Sequence, residues 1–236
     1  MPLFLPYGGY SYFDQYFFLL IIPAMVFSLA MQIMVKSAYR KNTRVLNSRG
    51  VSGAAAAAQV LRANGVEGVH IVPVRGVMSD HFDPRSNTIR LSEGVYASTS
   101  VAAVGIAAHE AGHAVQHARR YTPIRVRNAI LPVCNIGSTL GFPLVLVGFA
   151  VGIFEMVTLG LILFSLVTVF QLITLPVEFN ASRRALAAIE RQDLLSDAEY
   201  KGARAVLRAA AMTYVAALVV SLANLLRILL RFRRRD

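Results

Sequence analysis

A single cysteine, Cys134, in a chain of 236 residues excludes an internal disulfide and any metal site built on several thiolates. It lies inside an apolar run and reads as a small buried hydrophobe. Lysine and arginine are also missing from long stretches. None occurs in residues 1–35 and none in residues 128–182, although the chain holds 24 of them against 13 acidic residues, a net charge of +11. A surplus of positive charge can indicate a nucleic-acid partner, but here the basic residues flank apolar runs and lack interleaved aromatics. Nucleic acid is therefore excluded as a partner. The first residues, Met1 to Tyr12, lack the basic start and small-residue cleavage site of a secretory signal peptide. The first apolar run is expected to stay as an anchor.

What the chain does have is apolar length. It is 56% hydrophobic, with a mean hydropathy of +0.53, more apolar than an ordinary soluble domain. Phe13 to Val35 is long enough to cross a bilayer, for which about 20 residues suffice as a helix. Pro23 is expected to kink it, and Tyr10, Tyr12 and Tyr16 suit an interfacial aromatic belt. Lys36, Arg40, Lys41, Arg44 and Arg49 follow directly, which places the N-terminus outside and the next segment in the cytoplasm. A second apolar stretch ends at Pro176, and Glu155 divides it into spans Leu131 to Phe154 and Val157 to Leu175. Arg119, Arg120, Arg125 and Arg127 precede this hairpin and Arg183, Arg184 and Arg191 follow it, so both of its bases are expected in the cytoplasm. Ala209 to Leu226 is long enough for a fourth span, though basic residues bracket it on both sides.

The parts between are polar enough to fold in water. Ser52 to Ala63 reads as a capped helix ended by Asn64-Gly65. Val69 to Val74 and Thr88 to Leu91 read as strands around the turn-rich Met78 to Asn87, together a small β-hairpin. Glu178 to Gln192 is expected to be a separate cytoplasmic helix, and Ser196-x-x-Glu199 a fresh capped start. The boundaries are an extracytoplasmic N-terminus with the first span (1–35), a cytoplasmic segment (36–130) and a membrane hairpin (131–176). Cytoplasmic helices (177–204) and a C-terminal apolar helix with a basic tail (205–236) complete the chain.

The chemistry centres on Val101 to Arg120, a helix capped by Ser100, and within it on His109-Glu110-Ala111-Gly112-His113. Two histidines four residues apart project from one helical face, so their ring nitrogens can meet at one ion. Glu110 points to the flank, where a water bound at Zn²⁺ has a pKa lowered toward neutral and a base to take its proton. A catalytic zinc needs a third protein ligand. His117 repeats the four-residue spacing, but on a continuous helix it lies about 12 Å along the axis from His109 and fits a structural or supporting role. His70 reads as an ordinary strand histidine. Glu178 stands where the chain returns to the cytoplasmic side. Spacing alone leaves it open between a ligand and a first-turn glutamate favoured by the helix dipole.

Three motifs, His109 to Gln116 (HEAGHAVQ), Glu178 to Leu186 (EFNASRRAL) and Ser79 to Leu91 (SDHFDPRSNTIRL), resemble those of membrane-bound neutral zinc metallopeptidases of the YugP type. That group is distantly similar to the HtpX heat-shock proteases and the CAAX prenyl endopeptidases, and the resemblance covers nearly the whole chain. It implies an active-site zinc on His109, His113 and Glu178, with Glu110 as general base. The HtpX-like pattern E-x-x-x-D is not kept: Ser182, with Asn180 nearby, stands where an aspartate would support a ligand histidine. A serine accepts the histidine N–H but brings no charge. By resemblance to other zinc peptidases, the Asp80 to Leu91 hairpin forms an edge along which a substrate peptide lies, and His81 stabilises the oxyanion. The alternative for His81 is a solvent-facing turn residue.

The fold expected is a mainly α membrane protein of about four transmembrane helices, with a cytoplasmic zincin-like catalytic segment carrying a small β-hairpin. The function expected is a zinc-dependent endopeptidase in a bacterial inner membrane, its active site facing the cytoplasm and its partners a peptide or membrane-protein substrate and the lipid bilayer. The alternative is a zinc-binding membrane scaffold or assembly factor without turnover. A site-2 type intramembrane protease is disfavoured, because no L-D-G segment is present and the apolar run Val101 to Ala108 is too short to bury the site in the bilayer core.

Overall fold

A computed structural model describes residues 15–233. Tyr10, Tyr12, the other residues before 15 and the last three of the basic tail lie outside the described residues. The chain enters through a π-helical turn, Phe17–Ile21, that runs into α1, Ile22–Thr43. Pro23 explains the widened turn: it has no N–H to give to the carbonyl four residues back, and its ring crowds that carbonyl. The helix does not stop at Val35 but carries the basic residues Lys36, Arg40 and Lys41 on its last turns.

Helix α2, Gly53–Ala63, starts where Ser52 Oγ accepts the Ala55 N–H at 3.3 Å and ends at Asn64 before Gly65, whose φ is +64°. Three short strands follow: β1 (His70–Val74), β2 (His81–Asp83) and β3 (Thr88–Ser92), in the order β1-β3-β2. The hairpin is the β2–β3 pair, antiparallel with Phe82 opposite Ile89, whereas β1 runs parallel to β3. The hairpin expected from sequence pairs Val69–Val74 with Thr88–Leu91, and this pairing is not the antiparallel one. The turn-rich segment instead holds a strand of its own, and the crossover it creates turns β1 parallel. Asp83 fastens this hairpin by accepting from Ser86, the Arg85 N–H and Arg90, and these donors hold its carboxyl well below the usual carboxylate range.

A single turn, α3 (Glu93–Tyr96), leads to α4 (Val101–Ala118), which opens with Ser100 Oγ accepting from the Ala103 N–H at 3.2 Å. Fourteen of its 18 residues are buried, so α4 is the axis of the core rather than a surface helix. Around it pack Ala57 and Val60 of α2, Ile89 and Leu91 of β3, and Ala185 and Ile189 from the C-terminal half of α6 (Phe154–Arg191).

Between α4 and α6 lies α5 (Thr122–Val151), and after them α7 (Asp197–Arg233) closes the chain. Four helical stretches, Phe17–Thr43, Thr122–Gly148, Phe154–Arg191 and Asp197–Leu230, are long and apolar enough to cross a membrane. The α5–α6 hairpin turns at Gly152 (φ +75°). Its helices approach closely at Gly137 and Gly141, four apart on α5, where Cβ atoms would press on Leu163 and Gly160 backbone. Thr168 and Ser221 join α6 to α7 through hydroxyls 2.6 Å apart. Phe18, Leu19, Met25, Val26 and Leu29 point outward, apolar surface that lipid would cover. This is a mainly α membrane protein with one small sheet.

Two boundaries differ from the expectation. No separate helix begins at Glu178: α6 runs unbroken to Arg191 with Pro176 inside it. Removing one N–H from a membrane helix costs little when the freed carbonyl is otherwise satisfied, so the proline does not end the element. Similarly, Ser196–Tyr200 and Ala209–Leu226 are parts of one helix. Its start has the expected box, with Glu199 Oε2 accepting the Ser196 N–H at 2.8 Å.

Candidate metal centre

Two helices build the centre. On α4 the four-residue spacing sets His109 and His113 on one face, and on α6 the same spacing sets Glu178 and Ser182 on one face. The helices come together at Gly112, where a Cβ would lie 2.7 Å from the Ala181 carbonyl oxygen. Glycine there lets Glu178 reach the histidines. The Nε2 atoms of His109 and His113 are 3.2 Å apart, and Glu178 Oε2 is 3.3 Å from the first and 3.6 Å from the second.

Those three lengths test the fit of an ion. Ligands at about 2.0–2.2 Å in tetrahedral directions stand about 3.4 Å from one another. The observed triangle is that face of a tetrahedron. Glu178 is almost fully buried, and its Oε2 accepts no well-formed hydrogen bond; its neighbours are the two Nε2 atoms. Among the described residues, these three form the one group of histidine, cysteine or acidic side chains close enough to hold a metal ion. The nitrogen–oxygen donor set suits zinc.

The far sides of the rings are fixed. His109 Nδ1–H donates to Ser182 Oγ at 3.2 Å, and His113 Nδ1–H donates to Gln116 Oε1 at 3.0 Å. Gln116, fully buried, donates in turn to the Val177 carbonyl and to Asn180 Oδ1, which also accepts from Arg184. With Nδ1 committed on each ring, each Nε2 lone pair faces the common point. Glu110 lies beside the cluster, buried, and lines one cavity with Phe82 of β2. Burial pushes its carboxyl above the usual range, His109 partly opposes this, and Glu178 and Asp80 reinforce it.

Strand β2 is one of the two edge strands of the sheet and packs against α4. His81 is exposed; its Nδ1–H donates to the Ser79 carbonyl at 2.8 Å, and it lines a cavity of about 150 Å³ with His109, Glu110 and Arg127. His117 stays out of the cluster, exposed, with its ring tilted against Phe82 at 5.7 Å. His70 is exposed on β1.

Three residues escaped the sequence reading. Gln116 belonged to a quoted motif without a role, although its position three after His113 was a usable signal. Tyr214 of α7 lines the same cavities as Glu178, and a hydroxyl inside an apolar run is itself a pointer to function. Arg127 places Nη1 3.9 Å from Glu178 Oε1, which balances a buried carboxylate.

Among the described residues, four membrane-length helices and a largely buried His–His–Glu set close enough to hold an ion define a membrane protein with a candidate metal site. The profile of the family described as "Putative neutral zinc metallopeptidase" matches residues 17–233, and the chain belongs to that family. It is similar to a Bacillus subtilis (strain 168) protein described as "Putative membrane protease YugP", 44% identical over 216 residues that cover 92% of this chain and 96% of that one. No solved structure matches.

Proposed function

We propose that the chain is a membrane-embedded zinc endopeptidase with His109, His113 and Glu178 as metal ligands and Glu110 as general base. The observation that carries this is the 3.2, 3.3 and 3.6 Å ligand triangle with Glu110 beside it. Zinc held there supplies Lewis-acid polarisation of the scissile carbonyl and a water of lowered pKa. Glu110 takes a proton from the attacking water as its oxygen bonds to the carbonyl carbon. The same carboxyl returns that proton to the amine as the C–N bond breaks. Ser182 and Gln116 hold the rings in the ligating tautomer. The edge of β2 aligns the peptide, and His81, if protonated on both ring nitrogens, would keep Nδ1–H on the Ser79 carbonyl and have Nε2–H to donate toward the carbonyl oxygen.

The charge pattern supports a site that faces the cytoplasm of a bacterial inner membrane, because Lys36 to Arg49, Arg119 to Arg127 and Arg183 to Arg191 sit at the ends of apolar runs and neighbour the cluster's segments in sequence. The substrate is a peptide or membrane protein that reaches this side. The test is Glu110→Gln in the full chain in detergent. Zinc content is expected to match the wild type while casein cleavage falls about 10²–10⁴-fold. Undiminished cleavage by a zinc-loaded variant would end the general-base assignment.

A further inference from the structure

The 150 Å³ cavity has a neighbour of about 190 Å³, and the two share Asp80, His109, Glu110, Glu178 and Tyr214. The two open toward different parts of α4. The smaller reaches His113 and α5, whereas the larger reaches Ile106, one turn before His109, and passes between α1 and α7. Beyond the shared polar wall its lining changes character. Val35 comes from α1, Ile106 from α4, and Val206, Leu207, Ala210 and Ala211 from α7. Apart from Asp80 and the two site glutamates, no charged side chain lines it.

Size and lining together select an occupant. An apolar cavity of about 150 Å³ is enough to hold benzene. One of 190 Å³ therefore takes a side chain from leucine to phenylalanine in size. Its depth depends on two alanines: Ala210 and Ala211 leave the α7 side open where larger residues would fill it. An unfilled apolar space of this volume costs stability. Its continuity with the ligand cluster makes a bound peptide its natural filler. An acidic side chain would lose its hydration there and meet only the carboxylates of Asp80, Glu110 and Glu178.

We propose that this cavity receives the apolar side chain of the residue flanking the cleaved bond, so that the substrates are peptides cut beside a leucine- to phenylalanine-sized residue. The proposal rests on the endopeptidase reading above and names its substrate class. The same space would sort substrates by shape at the mouth of two membrane helices, where apolar juxtamembrane residues are presented.

The test uses the full chain in detergent carrying Glu110→Gln, which keeps peptides intact. Binding of a tetrapeptide series, identical except for Gly, Leu, Phe or Asp beside the central bond, is measured by calorimetry with and without zinc. Leu and Phe peptides are expected to bind at least about tenfold tighter than the Gly peptide, with Asp the weakest. Ala210→Leu fills the space and should remove the preference; Ile106→Ala enlarges it and should admit a naphthyl side chain. If Ala210→Leu fails to fold, the Ile106→Ala shift decides alone. Equal binding across the series, or a preference unmoved by Ile106→Ala, overturns the assignment. Cleavage of the same peptides by the wild type separates the two ideas. Binding with this preference but no cleavage keeps the cavity and sinks the protease, whereas cleavage without preference sinks only the cavity.

Discussion

Gly112→Ala should loosen the metal while leaving the fold standing. Gly112 sits between Ala111 and His113 at the point where α4 meets α6. A Cβ there would be 2.7 Å from the Ala181 carbonyl oxygen, 3.3 Å from its carbon and 3.4 Å from its Cα. These are backbone atoms that no rotamer change can move, so the two helices must part by roughly 0.7 Å to reach ordinary contact. Ala181 lies three residues after Glu178 and one before Ser182, so the proposed ligand and the residue beside His109 Nδ1 both shift with it. Metal sites tolerate about ±0.2 Å in ligand distance. Zinc affinity should therefore fall about 10–100-fold, the scale on which loss of a ligand's hydrogen-bonded support is felt. Overpacking costs about 1–3 kcal/mol, and the gain of about 1 kcal/mol for alanine over glycine in a helix offsets part of it. The assay is a chelator-competition zinc titration in detergent beside a circular-dichroism melt. Gly94→Ala is the control, since no neighbouring atom lies within 4 Å of a Cβ there. Wild-type zinc affinity in Gly112→Ala would refute the claim that this helix contact sets the ligand geometry.

Other perturbations probe the surroundings. Gln116→Leu removes the acceptor of His113 and the donor to the Val177 carbonyl; zinc affinity should drop about 10–100-fold and the melt should show a loss of about 1–3 kcal/mol. Asp83 has its carboxyl held low by its donors, so it stabilises the β2–β3 hairpin above the ordinary carboxylate pKa of about 4. That contribution is lost as pH falls through the depressed folded value. Amide shifts of Thr88–Ser92 followed by NMR should show the change in the wild type and not in Asp83→Asn. Thr168→Val and Ser221→Ala break the hydroxyl pair between α6 and α7, and a double-mutant cycle should return a coupling of about 0.6 kcal/mol. A coupling of zero would mean the pair is incidental to helix association.

Local rules were enough for much of this protein. Side-chain period on a helix set His109 and His113 on one face, hydroxyl caps at Ser52 and Ser100 and the Ser196-x-x-Glu199 box marked three helix starts, and apolar length marked four helices of membrane size. Each depends on residues within a few turns of one another, so the linear order carries it. The remainder depended on where distant segments meet. Whether Glu178 opened a helix or lay within one was undecided by Pro176, because a proline's effect depends on what satisfies the carbonyl it frees. The β1–β3 pairing came out parallel because Met78–Asn87 contains a strand that occupies the antiparallel edge of β3, a competition invisible in strand propensity. Gln116 could be seen beside His113, but its bonds to Val177 and Asn180 cross more than 60 residues, and Tyr214 meets Glu178 at a shared cavity only through the packing of α7. Helical periodicity could place two nitrogens on one line; only the packing of α4 on α6 through a missing methyl brought the carboxylate to them.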